Sequence, residues 1–124
     1  MAKETLLQSC WLGFGADKIL RMRVLEGAVI DLMQAKLITE SMLRLAEGNR
    51  IPVLIDGRQN WTWDKDAQEY NAQNSGFRIA TALIINNAVT RIVSNTYAKV
   101  FKPSYPLSVF SNEEMAVAWL RSLV

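Results

Sequence analysis

Histidine is absent from the 124 residues, which removes Ser-His-Asp and Cys-His catalysis and every histidine-containing zinc site from this chain. Cysteine occurs once, at Cys10, so no internal disulfide can form, whereas a small secreted domain ordinarily staples its core with several. The expected localisation is the reducing cytoplasm. No stretch approaches the roughly 18 consecutive apolar residues of a bilayer span. The opening MAKETLLQSC also lacks the apolar run and small-residue cleavage pattern of a secretory leader. An excess of one charge is missing too: 14 basic against 12 acidic residues leave a formal +2, too little for a dense basic stripe. Neither nucleic acid nor membrane insertion is expected.

What is present suffices for one folded domain over residues 1–124, since 50% of the residues are apolar and 21% charged. Residues 5–12 and 18–25 are short apolar-rich runs joined by the glycine-punctuated GFGAD, the pattern of a strand hairpin. In the second run Leu20, Met22 and Val24 alternate with Arg21 and Arg23, which puts the arginines on the opposite, wetter face. After a turn at Gly27, Asp31 can cap a helix whose Ala35, Ile38, Met42 and Leu45 recur every three or four residues, and Gly48 is its natural stop.

Residues 51–56 (IPVLID) read as a third strand, 78–85 (RIATALII) as a fourth and 107–110 as a fifth. Between them, DKDAQEYNAQ makes a modest helix with a thin apolar face of Ala67 and Tyr70. A helix over about 88–101 carries Val89, Ile92, Val93, Thr96, Tyr97 and Val100 on one stripe, expected to be core. Ser111 with Glu114 suggests a capping box for a last helix bearing Ala116, Trp119, Leu120 and Leu123. The expected architecture is an α/β mixed sheet of about five strands in the order β-β-α-β-α-β-α-β-α, its strand-helix-strand units parallel and right-handed.

The stretches IPVLIDGR, ATALIINN with AVTRIVSN, FKPSYPLSVF and SNEEMAVAWL together resemble the STAS and sporulation-factor-IIAA-like superfamily, in an uncharacterised bacterial branch of small single-domain proteins. The resemblance runs from the hairpin to Trp119 and Leu120. It implies a SpoIIAA-like fold and a non-enzymatic module: a protein-binding switch or regulatory attachment, with some related domains binding small ligands. In the superfamily's switch proteins an Asp-Ser-Ser-Gly motif follows a strand and its second serine takes a phosphate. Here the corresponding positions are Asp64, Lys65, Asp66 and Ala67, so the phosphoacceptor serine is missing. Asp66 carries less charge than a phosphoserine and would imitate one imperfectly.

Independently of that resemblance, ligands of open α/β sheets tend to meet the loops beyond the carboxyl ends of the strands. That rule points to Asp56 and Arg58 after the third strand and to Asn86 and Asn87 after the fourth. Asp56 and Arg58 could equally order their own loop, and an asparagine opening a helix is commonly its cap. Trp61 and Trp63, set in a polar loop, are candidates for an interface anchor or a pocket wall, against the alternative of a loop pinned to the sheet by its tryptophans. Cys10, in a strand, reads as a buried small hydrophobe.

Two functions remain in competition. One is a regulatory or protein-interaction module without catalysis, using Asp56, Arg58, Trp61, Trp63, Asp64, Asp66, Asn86 and Asn87. The other is a small-ligand or lipid-binding domain with its pocket between the sheet and the second helix. A carboxylate-only enzyme built on Asp56, Asp64 and Asp66 stands third, because clustered carboxylates can act as acid and base. No cofactor is expected. The two loop tryptophans, the strand edge and the low net charge favour a weak homodimer.

Overall fold

A computed structural model describes residues 3–124. Its elements, in chain order, are β1 (Glu4–Leu6), β2 (Cys10–Phe14), β3 (Leu20–Val24), β4 (Ala28–Ile30), α1 (Leu32–Ala46) and β5 (Ile51–Asp56), followed by β6 (Trp61–Trp63), α2 (Lys65–Gln73), β7 (Arg78–Ile84), α3 (Ala88–Phe101), β8 (Leu107–Phe110) and α4 (Glu113–Ser122). Six strands form the main sheet in the order β1-β2-β3-β5-β7-β8, while β4 and β6 pair separately. The pairs β1–β2 and β2–β3 are antiparallel, and β3–β5, β5–β7 and β7–β8 are parallel.

Side-chain alternation builds the two layers. Leu20, Met22 and Val24 of β3 and Val53 of β5 face one core together with Ala35, Ile38 and Met42 of α1. Leu54 of β5 and Ala80, Ala82 and Ile84 of β7 face a second core beneath Ala116 and Leu120 of α4. Arg21 and Arg23 therefore point away from the α1 side, as the alternation predicts. Arg21 is held by Asp17 at 2.9 Å, and the exposed Arg23 lies 5.2 Å from the Trp11 ring centre. Cys10 is fully buried, and that burial pushes its thiol up to about 11, well out of reactive range.

Four sequence expectations need correction. The run 5–12 is two strands, because the chain turns back at Leu7, whose amide bonds to the Cys10 carbonyl at 2.8 Å, while the buried Ser9 hydroxyl donates to Gln34 of α1. The main sheet thus has six strands. Trp61–Trp63 is itself a strand, paired in parallel with Ala28–Ile30. The cap of α4 is Asn112, whose side chain accepts from the Met115 amide at 2.9 Å, so the Ser111–Glu114 box does not form. The largest correction concerns α3: Val89, Ile92 and Val100 are 71%, 64% and 62% exposed, while Ser94 and Tyr97 are the buried residues. The helix is rolled so that Tyr97 reaches inward to hydrogen-bond partners and Val93 is half-buried, while Val89, Ile92 and Val100 are left in solvent.

Candidate functional site

The residues singled out at the carboxyl ends of the strands are largely occupied with one another or with their own helices. Arg58 grips Asp56 through both Nε and Nη2, at 2.9 and 2.8 Å, and its backbone amide donates to the same carboxylate. The hydrogen bond from Arg58 holds the Asp56 carboxyl below the usual carboxylate range against the opposing effect of its partial burial. Asp64 caps α2 by accepting from the Ala67 amide at 2.9 Å, and Asn87 caps α3 by accepting from Thr90 at 2.8 Å. Asp66 sits exposed in the first turn of α2, and Asn86 is exposed beside the α3 cap. Among the described residues, no three Asp, Glu or Cys side chains gather closely enough to hold a metal ion.

Trp61 and Trp63 behave differently. Both are half-buried against the α1-side core, with Thr62 between them exposed, as strand alternation requires. Trp61 donates through Nε1 to the Gly57 carbonyl at 2.9 Å. A β-carbon on Gly57 would lie only 3.1 Å from that nitrogen, so the absent side chain is what lets the ring close in. Trp63 packs on Tyr97 of α3, ring centres 4.7 Å apart. The tryptophans thus form a wall in their own chain.

Behind that wall lies a cavity of about 70 Å³, roofed by α1, α2 and α3 and floored by the sheet. Met22, Val24, Ile30, Ile38, Ile55 and Leu83 make much of it apolar, whereas Asn71, Arg78, Thr81, Ser94, Tyr97 and Tyr105 supply polar groups. The polar groups form a connected set. Arg78 donates to Asn71 Oδ1 at 2.9 Å and to Thr81 Oγ1 at 3.2 Å; Asn71 Nδ2 donates to the hydroxyls of Tyr97 and Tyr105 at 2.8 and 3.1 Å; the two hydroxyls lie 3.0 Å apart. Burial, reinforced by the neighbouring Tyr105 hydroxyl, drives the Tyr97 phenol far above its ordinary range, so it stays neutral. The guanidinium also lies 5.1 Å from the Tyr105 ring centre and 5.7 Å from that of Phe77.

Arg78 reaches this place through a register irregularity. On strict alternation it would share the α4 side with Ala80, Ala82 and Ile84. Between β5 and β7, however, Ile51 pairs with Arg78 and the next residue, Pro52, pairs with Ala80, leaving Ile79 as an extra residue. That bulge sends both Ile79 and Ala80 toward α4 and turns Arg78 to the cavity side. Arg78, Asn71 and Tyr105 all stand at the amino ends of β7 and β8, opposite the end to which the strand-end rule directs attention. The sequence holds one signal for this site, an arginine opening the apolar strand RIATALI; Tyr97, Tyr105 and Asn71 carry no local mark of their convergence.

Comparison with known proteins bears on fold and family. No curated protein matches the chain. Among solved structures, it is similar to an uncharacterised protein of the DUF3478 family with a SpoIIAA-like fold from Shewanella loihica PV-4, with a TM-score of 0.63 and 12% identity, covering 97% of this chain and 92% of that one. At that identity the likeness establishes a SpoIIAA-like fold and carries no residue roles. The domain of unknown function DUF7793 matches residues 12–124, and the chain belongs to that family.

Proposed function

We propose that this domain is a non-enzymatic small-ligand-binding module that takes its ligand between the sheet and α2. The observation that carries the reading is the cavity itself, apolar over much of its surface and furnished with a convergent polar set, the general form of a small-molecule site. The non-enzymatic part rests on the lining, which offers neither carboxylate nor thiol for proton transfer or nucleophilic attack. At about 70 Å³ the space is smaller than the ~150 Å³ cavity known to admit benzene, so a ligand of about four carbons matches it better than a long lipid chain.

Ligand-observed NMR with butanoate, butanamide and 1-butanol tests this. At least one probe should bind the parent and lose affinity about tenfold or more in Ala67→Leu, which fills the cavity from α2. Circular dichroism confirms that the variant is folded. If no probe binds, or binding is the same in the filled variant, the cavity is not a binding site.

The second reading, a protein-interaction module, is favoured by a different observation: the exposed Val89, Ile92 and Val100 on α3. The Asp56–Arg58 loop is a weaker contact surface, because its two charges already satisfy each other.

A further inference from the structure

We infer that the ligand of this cavity is a small monocarboxylic acid whose carboxylate is received by Arg78, an assignment that rests on the ligand-binding reading above. Arg78 is 2% exposed, and among the described residues no carboxylate lies within ion-pair distance of it. The three ion pairs among the described residues are Lys3–Glu47, Arg21–Asp17 and Arg58–Asp56, all more exposed than this site. A buried guanidinium is normally matched by an opposite charge, because neutral acceptors offset its desolvation incompletely. Among the described residues, Asn71, Thr81 and the Met42 sulfur are the only hydrogen-bond acceptors of its guanidinium.

Among the described residues two buried side-chain donors are left without an acceptor, and both belong to residues of the cavity wall: Arg78 Nε and Trp63 Nε1. Buried N–H groups are nearly always paired, so two orphans around one space point to an acceptor that enters it. No Asp or Glu lines the cavity to compete for them. The acceptor's charge follows from the count of cations. Arg78 is the one cation in the lining, so a carboxylate balances it, whereas a phosphate would bring a second negative charge into apolar surroundings. Met22, Val24, Ile30 and Ile38 then suit the hydrocarbon part.

The opposing account makes Arg78 purely structural, held by Asn71, Thr81 and the flanking rings of Phe77 and Tyr105. The two accounts differ in what the parent protein prefers to bind. Butanoate and butanamide have the same shape and differ in charge. Calorimetric titration of the parent should show butanoate binding about tenfold or more tighter than butanamide and 1-butanol. Nuclear Overhauser contacts should place its methylenes near the side chains of Met22, Val24, Ile30 and Ile38, and Arg78→Met should erase the preference. Because the comparison and the contacts are read on the parent, the test survives a variant that does not fold. Butanamide binding as tightly as butanoate, or butanoate contacts confined to surface arginines, would overturn the carboxylate assignment while leaving the cavity a ligand site. Binding of none of the three probes would overturn both.

Discussion

Helices α1 and α3 lie on the same side of the sheet and look alike as sequences, each with an aliphatic stripe and a side-chain cap, yet they are attached in opposite ways. α1 buries Ala35, Ile38 and Met42 against β2, β3 and β4, with Lys36, Glu40 and Arg44 outside. α3 buries Ser94 and Tyr97, makes its main contacts with α2 and the edge strand β8, and turns Val89, Ile92 and Val100 outward. The first is held by the hydrophobic effect and the second by hydrogen bonds and one aromatic ring. That difference teaches where the fold can give. The cavity is closed on one side by a helix with little aliphatic attachment, an element suited to move when a ligand enters.

The strongest way to expose the contrast is a carboxylate on the α1 stripe. Ile38→Asp should destabilise the domain by more than about 4 kcal/mol, since a charge placed at a position 5% exposed has no partner there. Urea unfolding followed by circular dichroism gives the value, and a variant retaining most of the parent's stability would mean that α1 is not a core helix. Next in size is Tyr97→Phe, which keeps the ring on Trp63 and removes the hydroxyl shared by Asn71 and Tyr105. The expected loss is about 2 kcal/mol, the cost of disturbing a buried polar set. A Phe variant as stable as the parent would show that the ring alone anchors α3.

The caps sharpen the comparison further. Asp31 and Asn87 make equivalent bonds, to the Gln34 and Thr90 amides at 2.9 and 2.8 Å. Asp31→Ala should lower global stability by about 1 kcal/mol. Asn87→Ala should take a similar amount from the hydrogen-exchange protection of α3 while moving the urea midpoint by less than about half as much, because a loosely attached helix can open by itself. Equal shifts of the midpoint would make α1 and α3 parts of one cooperative unit.

What could be read from the sequence was what depends on near neighbours. The Leu20-Arg21-Met22-Arg23-Val24 alternation, the α1 stripe and the caps Asp31 and Asn87 follow from period and side-chain chemistry within a few residues, whereas the capping role of Asp64 appeared only in the structure. The SpoIIAA-like fold was legible through whole motifs. The cavity was legible only as a place, beneath the second helix. Its chemistry was not, because Arg78 faces inward through a bulge that needs β5 to define it, and Tyr97 does so through partners 26 and 8 residues away, Asn71 and Tyr105. The same dependence hid β6: three residues with no helical or strand periodicity of useful length become a strand only when Ala28–Ile30 lies beside them. The α3 stripe misled for a related reason. Periodicity identifies an apolar face, and only the tertiary partners decide which face is turned inward.

The smallest expected effect is therefore the most discriminating. Ile92 is an isoleucine on the clearest aliphatic stripe of the chain, and on sequence grounds Ile92→Asp should unfold the domain much as Ile38→Asp does. At 64% exposure the structure requires otherwise. An aspartate there is solvated, leaves no cavity and breaks none of the hydrogen bonds of Ser94 or Tyr97, so the change should stay within about 0.5 kcal/mol in the same urea series. A loss comparable to that of Ile38→Asp would mean that α3 presents its stripe to the sheet in solution. The helix would then be rolled away from the arrangement in which the Tyr97 hydroxyl meets Asn71 and Tyr105, the polar set around Arg78 would lose a member, and the cavity would lose that wall. If the variant is as stable as the parent, it also becomes the tool for the second functional reading. Binding of a protein partner through the α3 stripe should be weakened by Ile92→Asp, whereas binding of a small acid in the cavity should be untouched.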